Sequence, residues 1–161
     1  MATTGATAKV TTGTSIKTML QIATPSSRQM QLISWGFNLD APPGTTSTGE
    51  VELIQTDVAA TVTAHVASGV QPLDPNAPAS LVTLSTTGTG YTASAEGTPT
   101  GTRLFDAQLI PGLSAGGSGI EPYAYQWMPD ERPIIGVSKF LRVRATFAAA
   151  VNMLCWVCWD E

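Results

Sequence analysis

The sequence predicts an all-β chain, an antiparallel β-sandwich of jelly-roll-like type with an extended N-terminal arm. Three observations carry this. About eight or nine short runs alternate apolar and polar residues, the period-2 signature of strands with one buried face. Turns rich in Gly, Pro and Thr separate the runs, and no stretch shows a helical period, a heptad or a longer repeat. One run changes phase halfway, which favours a jelly roll over a simple meander. At 161 residues the chain suits a single domain with a sizeable core. The reading divides it into an arm, residues 1–15, and one sandwich domain, residues 16–161.

Residues 1–15 (MATTGATAKVTTGTS) are small, polar and interrupted by glycine, a composition that predicts an arm and not a core element. Ile16 to Thr24 is the first strand, closed by Pro25. Arg28 to Asp40 is the run that changes phase: Met30 and Leu32 share one parity, Ile33, Trp35, Phe37 and Leu39 the other. Such a change marks a bulge or a passage between sheets, and Gly36 is expected to ease the bend. Glu50 to Thr56 turns Val51 and Leu53 inward and Glu50 and Glu52 outward. Val58 to Val66 alternates strictly and is read as a strand, with a solvated or hydrogen-bonded His65 on its threonine face.

Residues 69–80 are punctuated by proline and form a loop, in which Asp74 and Asn76 are turn-formers and not calcium ligands. Leu81–Leu84, Tyr91–Ala95 and Thr102–Ile110 follow as strands. Residues 113–119 (LSAGGSG) lack the lysine and the strand-to-helix context of a phosphate loop. Tyr123, Tyr125 and Trp127 alternate to give one aromatic face, suited to inward packing, to an interface or to stacking on a sugar.

The last 23 residues, Lys139 to Glu161, organise the rest. Leu141, Val143, Ala145 and Phe147 alternate with Arg142, Arg144 and Thr146. Val151 to Trp159 is apolar on both faces, as a central or covered strand is. With small residues between them the two runs are read as an antiparallel hairpin. Arg142 and Arg144 share a spacing and an outward parity with Glu50 and Glu52, so these four are expected to face one another across strands or across a subunit boundary. Cys155 and Cys158 have the C-x-x-C spacing of redox and metal sites. Inside a strand, however, positions i and i+3 face opposite sides, and one histidine in the chain leaves a zinc site short of ligands. Buried thiols are the expectation.

Charged residues make up only 12% and hydrophobic ones 43%. A surface this poor in charge suits a protein packed against neighbours. A net charge of −4 leaves no electrostatic footprint for nucleic acid. No run approaches the roughly 20 apolar residues that span a membrane, and no apolar signal region opens the sequence. No catalytic residue set, metal site or cofactor motif is read from the chain, and a non-enzymatic role is expected.

The blocks SIKTMLQIATPSS, VELIQTDVAATVTAHVASGVQPLDPNAPASLV, YTASAEGTPTGTRLFDAQLIPG and SKFLRVRATFAAAVNMLCWVCWDE, covering nearly all residues after Ser15, resemble small structural proteins of tailed bacteriophages, capsid decoration (cement) proteins above all. The resemblance implies a virion protein made in the host cytoplasm and placed on the outer capsid surface. Its implied partners are the major capsid protein and further copies of itself, a trimer being favoured. It supplies no catalytic residues. A tail or head–tail connector role belongs to the same class, and a carbohydrate-binding jelly roll using Tyr123, Tyr125 and Trp127 is the alternative from another class. Candidate interface residues are Glu50, Glu52, Tyr123, Tyr125, Trp127, Arg142 and Arg144.

Overall fold

Each alternating run has one apolar face to remove from water, and two sheets of such runs achieve this by facing each other. In the computed structural model, which describes residues 1–3, 9–44, 46–112 and 122–161, two six-stranded antiparallel sheets form a sandwich. In chain order the strands are β1 (Ala2–Thr3), β2 (Val10–Thr11), β3 (Lys17–Ala23), β4 (Met30–Leu39), β5 (Gly49–Thr56), β6 (Thr61–Ala64), β7 (Gly90–Ala95), β8 (Thr102–Ile110), β9 (Tyr123–Gln126), β10 (Ile134–Ile135), β11 (Phe140–Thr146) and β12 (Asn152–Asp160). The first sheet runs β6-β7-β3-β11-β5-β8. The second runs β1-β12-β4-β10, with β2 also on β12 and β9 also on β4. Leu20, Ile22, Leu53, Leu141 and Val143 of the first sheet and Leu32, Trp35, Phe37, Cys155 and Val157 of the second belong to one buried core.

The phase change in β4 is a bulge. Ser34 pairs with Cys158 and Leu32 with Trp159, which leaves Ile33 as the extra residue. Met30 and Leu32 before it and Trp35, Phe37 and Leu39 after it are therefore all buried. Gly36 serves packing and not bending. A Cβ there would meet the Tyr123 carbonyl oxygen at 2.5 Å and the Trp156 ring at 2.8 Å.

The hairpin expected from the last two runs is not formed. β11 lies between β3 and β5 in the first sheet, and β12 pairs with β4, β1 and β2 in the second. The short segment between them crosses the sandwich, with Phe147 and Val151 buried at either end of it. Adjacency in sequence is therefore spent on joining layers and not on pairing. β12 is central, as its two apolar faces require. Cys155 shares the inner face with its register partner Phe37, and Cys158 the outer face with Ser34; no disulfide joins them. Burial pushes the Cys155 thiol pKa well above its ordinary value.

Within residues 1–15, the short strands β1 and β2 belong to the second sheet. β1 and β2 pair with β12, and Ala2 and Thr12 are buried. The Gln71 N–H donates to the Met1 carbonyl at 3.2 Å, and the Met1 amine donates to the Gln71 carbonyl at 3.1 Å. The far edge of β12 needs backbone partners, and these short segments supply them. Residues 4–8 and the loop 113–119 lie outside the described residues.

Two further strand expectations are corrected. Of Val58 to Val66 only β6 is strand, because its register against β7 shifts twice around Val62. That shift breaks the alternation, and of the two settings expected for His65, solvated or hydrogen-bonded, it has the second: it is buried and bonded to the Thr3 backbone. Leu81–Leu84 forms no strand beyond an isolated bridge from Leu84 to Thr89.

Candidate interaction face

Register between β5, β8 and β11 assembles an outer face on the first sheet. Val51 and Leu53 point into the core, so Glu50 and Glu52 point away from it, opposite Leu109 and Ala107 of β8. On the other flank Glu52 sits opposite Arg144 and Glu50 opposite Thr146. The Glu52 carboxylate meets the Arg144 guanidinium at 2.6 Å, with side-chain exposures of 16% and 15%. This is the cross-strand pairing expected of that couple.

Two leucines flank the ion pair, Leu104 at 55% and Leu109 at 72% exposure. Strict alternation would set these two on opposite faces. The β5–β8 register shifts so that Leu53 pairs with Asp106 and Ile54 with Leu104, leaving Phe105 as a bulge. That extra residue turns both leucines outward, and no period-2 reading of TRLFDAQLI predicts it.

Arg142 does not join this face. Its side chain is fully buried, because residues 57–60 and 94–97 cover that half of the sheet's outer side. Its Nη1 donates to the Glu96 carbonyl oxygen at 3.0 Å and lies 3.5 Å from Glu96 Oε2, and its Nη2 donates to the Val58 carbonyl. Glu96 in turn accepts from the Thr18 N–H at 2.5 Å and the Thr18 hydroxyl at 2.6 Å. Beside them the Gln21 amide donates to the Gly88 and Ala60 carbonyls at 2.6 and 3.3 Å, and its oxygen accepts from the Ala60 N–H at 2.8 Å. Burial lowers the Arg142 pKa, and the Glu96 charge opposes that shift. An arginine stays charged under either influence. The network holds a cover onto the sheet; of the two arginines only Arg144 lies on the face with Glu52.

Tyr123, Tyr125 and Trp127 do not make a flat platform. Tyr123 points inward, 5.4 Å from both the Trp35 and the Phe37 ring centres, at interplanar angles of 62° and 31°. Its hydroxyl donates to Asp106 Oδ2 at 2.6 Å, where the Trp35 indole N–H also donates at 3.0 Å. Gln108 donates to Asp106 Oδ1 at 2.9 Å. Asp106 on β8 thus ties the first sheet to β4 and β9 of the second. Burial, and then the bond to Asp106, raise the Tyr123 pKa strongly. Trp127 is buried and meets the 42% exposed Tyr125 edge-on, at 5.2 Å and 77°. A sugar stacks on the flat of a ring, and here one ring of the three is exposed.

A groove of about 440 Å³ lies between residues 71–81 and the end of β12, with Leu73, Leu81, Trp159 and the bulged Ile33 among its walls. No family model matches this chain, and no curated protein or solved structure matches it.

The Glu52–Arg144 pair fixes register more than it stabilises. In a double-mutant cycle with Glu52→Gln and Arg144→Gln, we expect a coupling of about 1 kcal/mol or less, decreasing as salt is added. A coupling that salt does not change would mean that this pair, with 15–16% exposure, is shielded from solvent and behaves as a buried one.

Proposed function

We propose that this chain is a non-enzymatic structural protein of a tailed-phage virion, a decoration protein that binds and stabilises the assembled major-capsid lattice. The observation that carries the reading is the outer face of the first sheet, where Leu104 and Leu109 stand exposed on either side of the Glu52–Arg144 pair. Large apolar side chains grouped on a low-charge surface mark a place where another protein docks. The resemblance of the four sequence blocks to phage decoration proteins supports the major capsid protein as the proposed partner and the outer capsid surface as the proposed location. The mechanism is linkage: a protein that binds only the assembled lattice raises lattice stability by mass action. Binding as a homo-oligomer, a trimer in the proposed family, multiplies several weak contacts through effective concentration.

Co-sedimentation with shells assembled from the major capsid protein tests this. Saturable binding to shells, absence of binding to unassembled subunits and a higher shell melting temperature are expected. The double variant Leu104→Asp with Leu109→Asp should weaken shell binding about tenfold or more while its own unfolding midpoint stays close to that of the parent. Equal binding by that variant, or no binding by the parent, defeats the proposal.

A further inference from the structure

His65 sits where three elements meet. Its backbone N–H donates to the Thr89 carbonyl at 3.1 Å. Its ring lies 5.0 Å from that of Tyr91 on β7. Gly69, in the 3-10 turn Ala67–Gly69, closes against the other side, and a Cβ there would come within 2.4 Å of Nδ1. From the second sheet, the backbone of Thr3 in β1 reaches the imidazole by a hydrogen bond. The residue is only 4% exposed, and Nε2 is buried with no hydrogen-bond partner among the described residues.

The site fits a neutral ring. Among the described residues the groups facing it are the Thr3 backbone from β1, the Gly69 backbone from the turn and the Tyr91 ring from β7, with no carboxylate or cation acting on it. A proton on Nε2 would create a buried donor, and a buried charge, with nothing among the described residues to receive either. Among the described residues β1 is otherwise held by its pairs with Val157 and Trp156, by the bridge from Ala2 to Val70 and by the burial of Ala2 in the core, and Met1 before it exchanges two bonds with Gln71.

We propose that His65 is an acid-sensitive clasp, whose protonation loosens β1 from residues 65–71 and opens the margin of the second sheet beside β12. Burial lowers the His65 pKa, and the Thr3 bond offsets only part of that shift. A depressed histidine favours the closed form above its ordinary value of about 6.5. As pH falls through that value the opened form takes up the proton first, and the advantage of closure is lost. At pH 5.0 an opened histidine is about 30-fold more protonated than neutral, which sets the ceiling of the effect.

His65 is the single histidine in the chain, so its proton resonance needs no assignment. In the full chain, an NMR titration should place its midpoint below about 6.5. Hydrogen exchange corrected for intrinsic rates should run faster at pH 5.0 than at pH 7.5, by at most about 30-fold, in peptides covering residues 1–3 and 65–71. Peptides from β4 and β11 should hold their protection. His65→Phe keeps a ring against Tyr91 without a titrating nitrogen, and should abolish the acceleration. An unchanged acceleration in His65→Phe, an absent one in the parent, or a midpoint at or above 6.5 overturns the proposal. The titration decides on the parent protein alone if the variant fails to fold.

Discussion

Replacing Arg142 with alanine is expected to cost about 3–5 kcal/mol of folding stability, measured by urea unfolding. The guanidinium is fully buried and supplies the donors for the Val58 and Glu96 carbonyls. Removing it leaves those acceptors and the Glu96 carboxylate short of partners under the cover that residues 57–60 and 94–97 form. A loss of that size is a large part of the roughly 5–15 kcal/mol that a domain has in total. The sign of a second comparison separates a stranded charge from lost packing. Arg142→Met combined with Glu96→Gln should be less damaging than Arg142→Met alone, because the Glu96 carboxylate, held by Thr18, is then no longer left without its cation. If the double variant is the worse of the two, the pair is not what holds the cover down.

Trp35→Ala should be comparably severe, about 3–5 kcal/mol. Trp35 is fully buried in the core, in ring contact with Phe37 and Tyr123. Its indole N–H also donates to Asp106 on the opposite sheet. Trp35→Phe retains most of the packing and removes the donor, so it isolates the polar tie at about 1–2 kcal/mol. Equal losses from the two substitutions would mean that the hydrogen bond to Asp106, and not the ring, joins the sheets at this edge.

Much of the architecture was legible because period-2 alternation is a direct consequence of burying one face. Ile16–Thr24, Glu50–Thr56 and Thr102–Ile110 match β3, β5 and β8 closely. The parity change in β4, read as a bulge or a passage between sheets, is a bulge. Parity alone cannot say what covers the outward side. Arg142 and Arg144 have the same pattern in sequence, yet a remote segment buries the first and leaves the second on the face with Glu52. Leu104 and Leu109 escaped notice for the complementary reason, since the bulge at Phe105 resets the alternation between them. The sheet membership of β12 was hidden too. A connection of a few small residues can turn a hairpin or cross a sandwich, and Phe147 and Val151 being apolar is compatible with either.

The pairing of β11 with β3 and of β12 with β4 also dictates the order in which this molecule can be completed. β3 and β4 are made early, yet each finds its principal neighbour only in residues 140–160. During synthesis both strands therefore wait with unpaired backbone edges and apolar faces while some hundred residues follow them. Topologies built on such distant pairings fold in roughly milliseconds to seconds, since long loops must close before any pairing rewards them. In that interval β3 has only Lys17, Thr18 and Gln21, and β4 only Gln31, Ser34 and Asn38, as polar side chains to keep them in water.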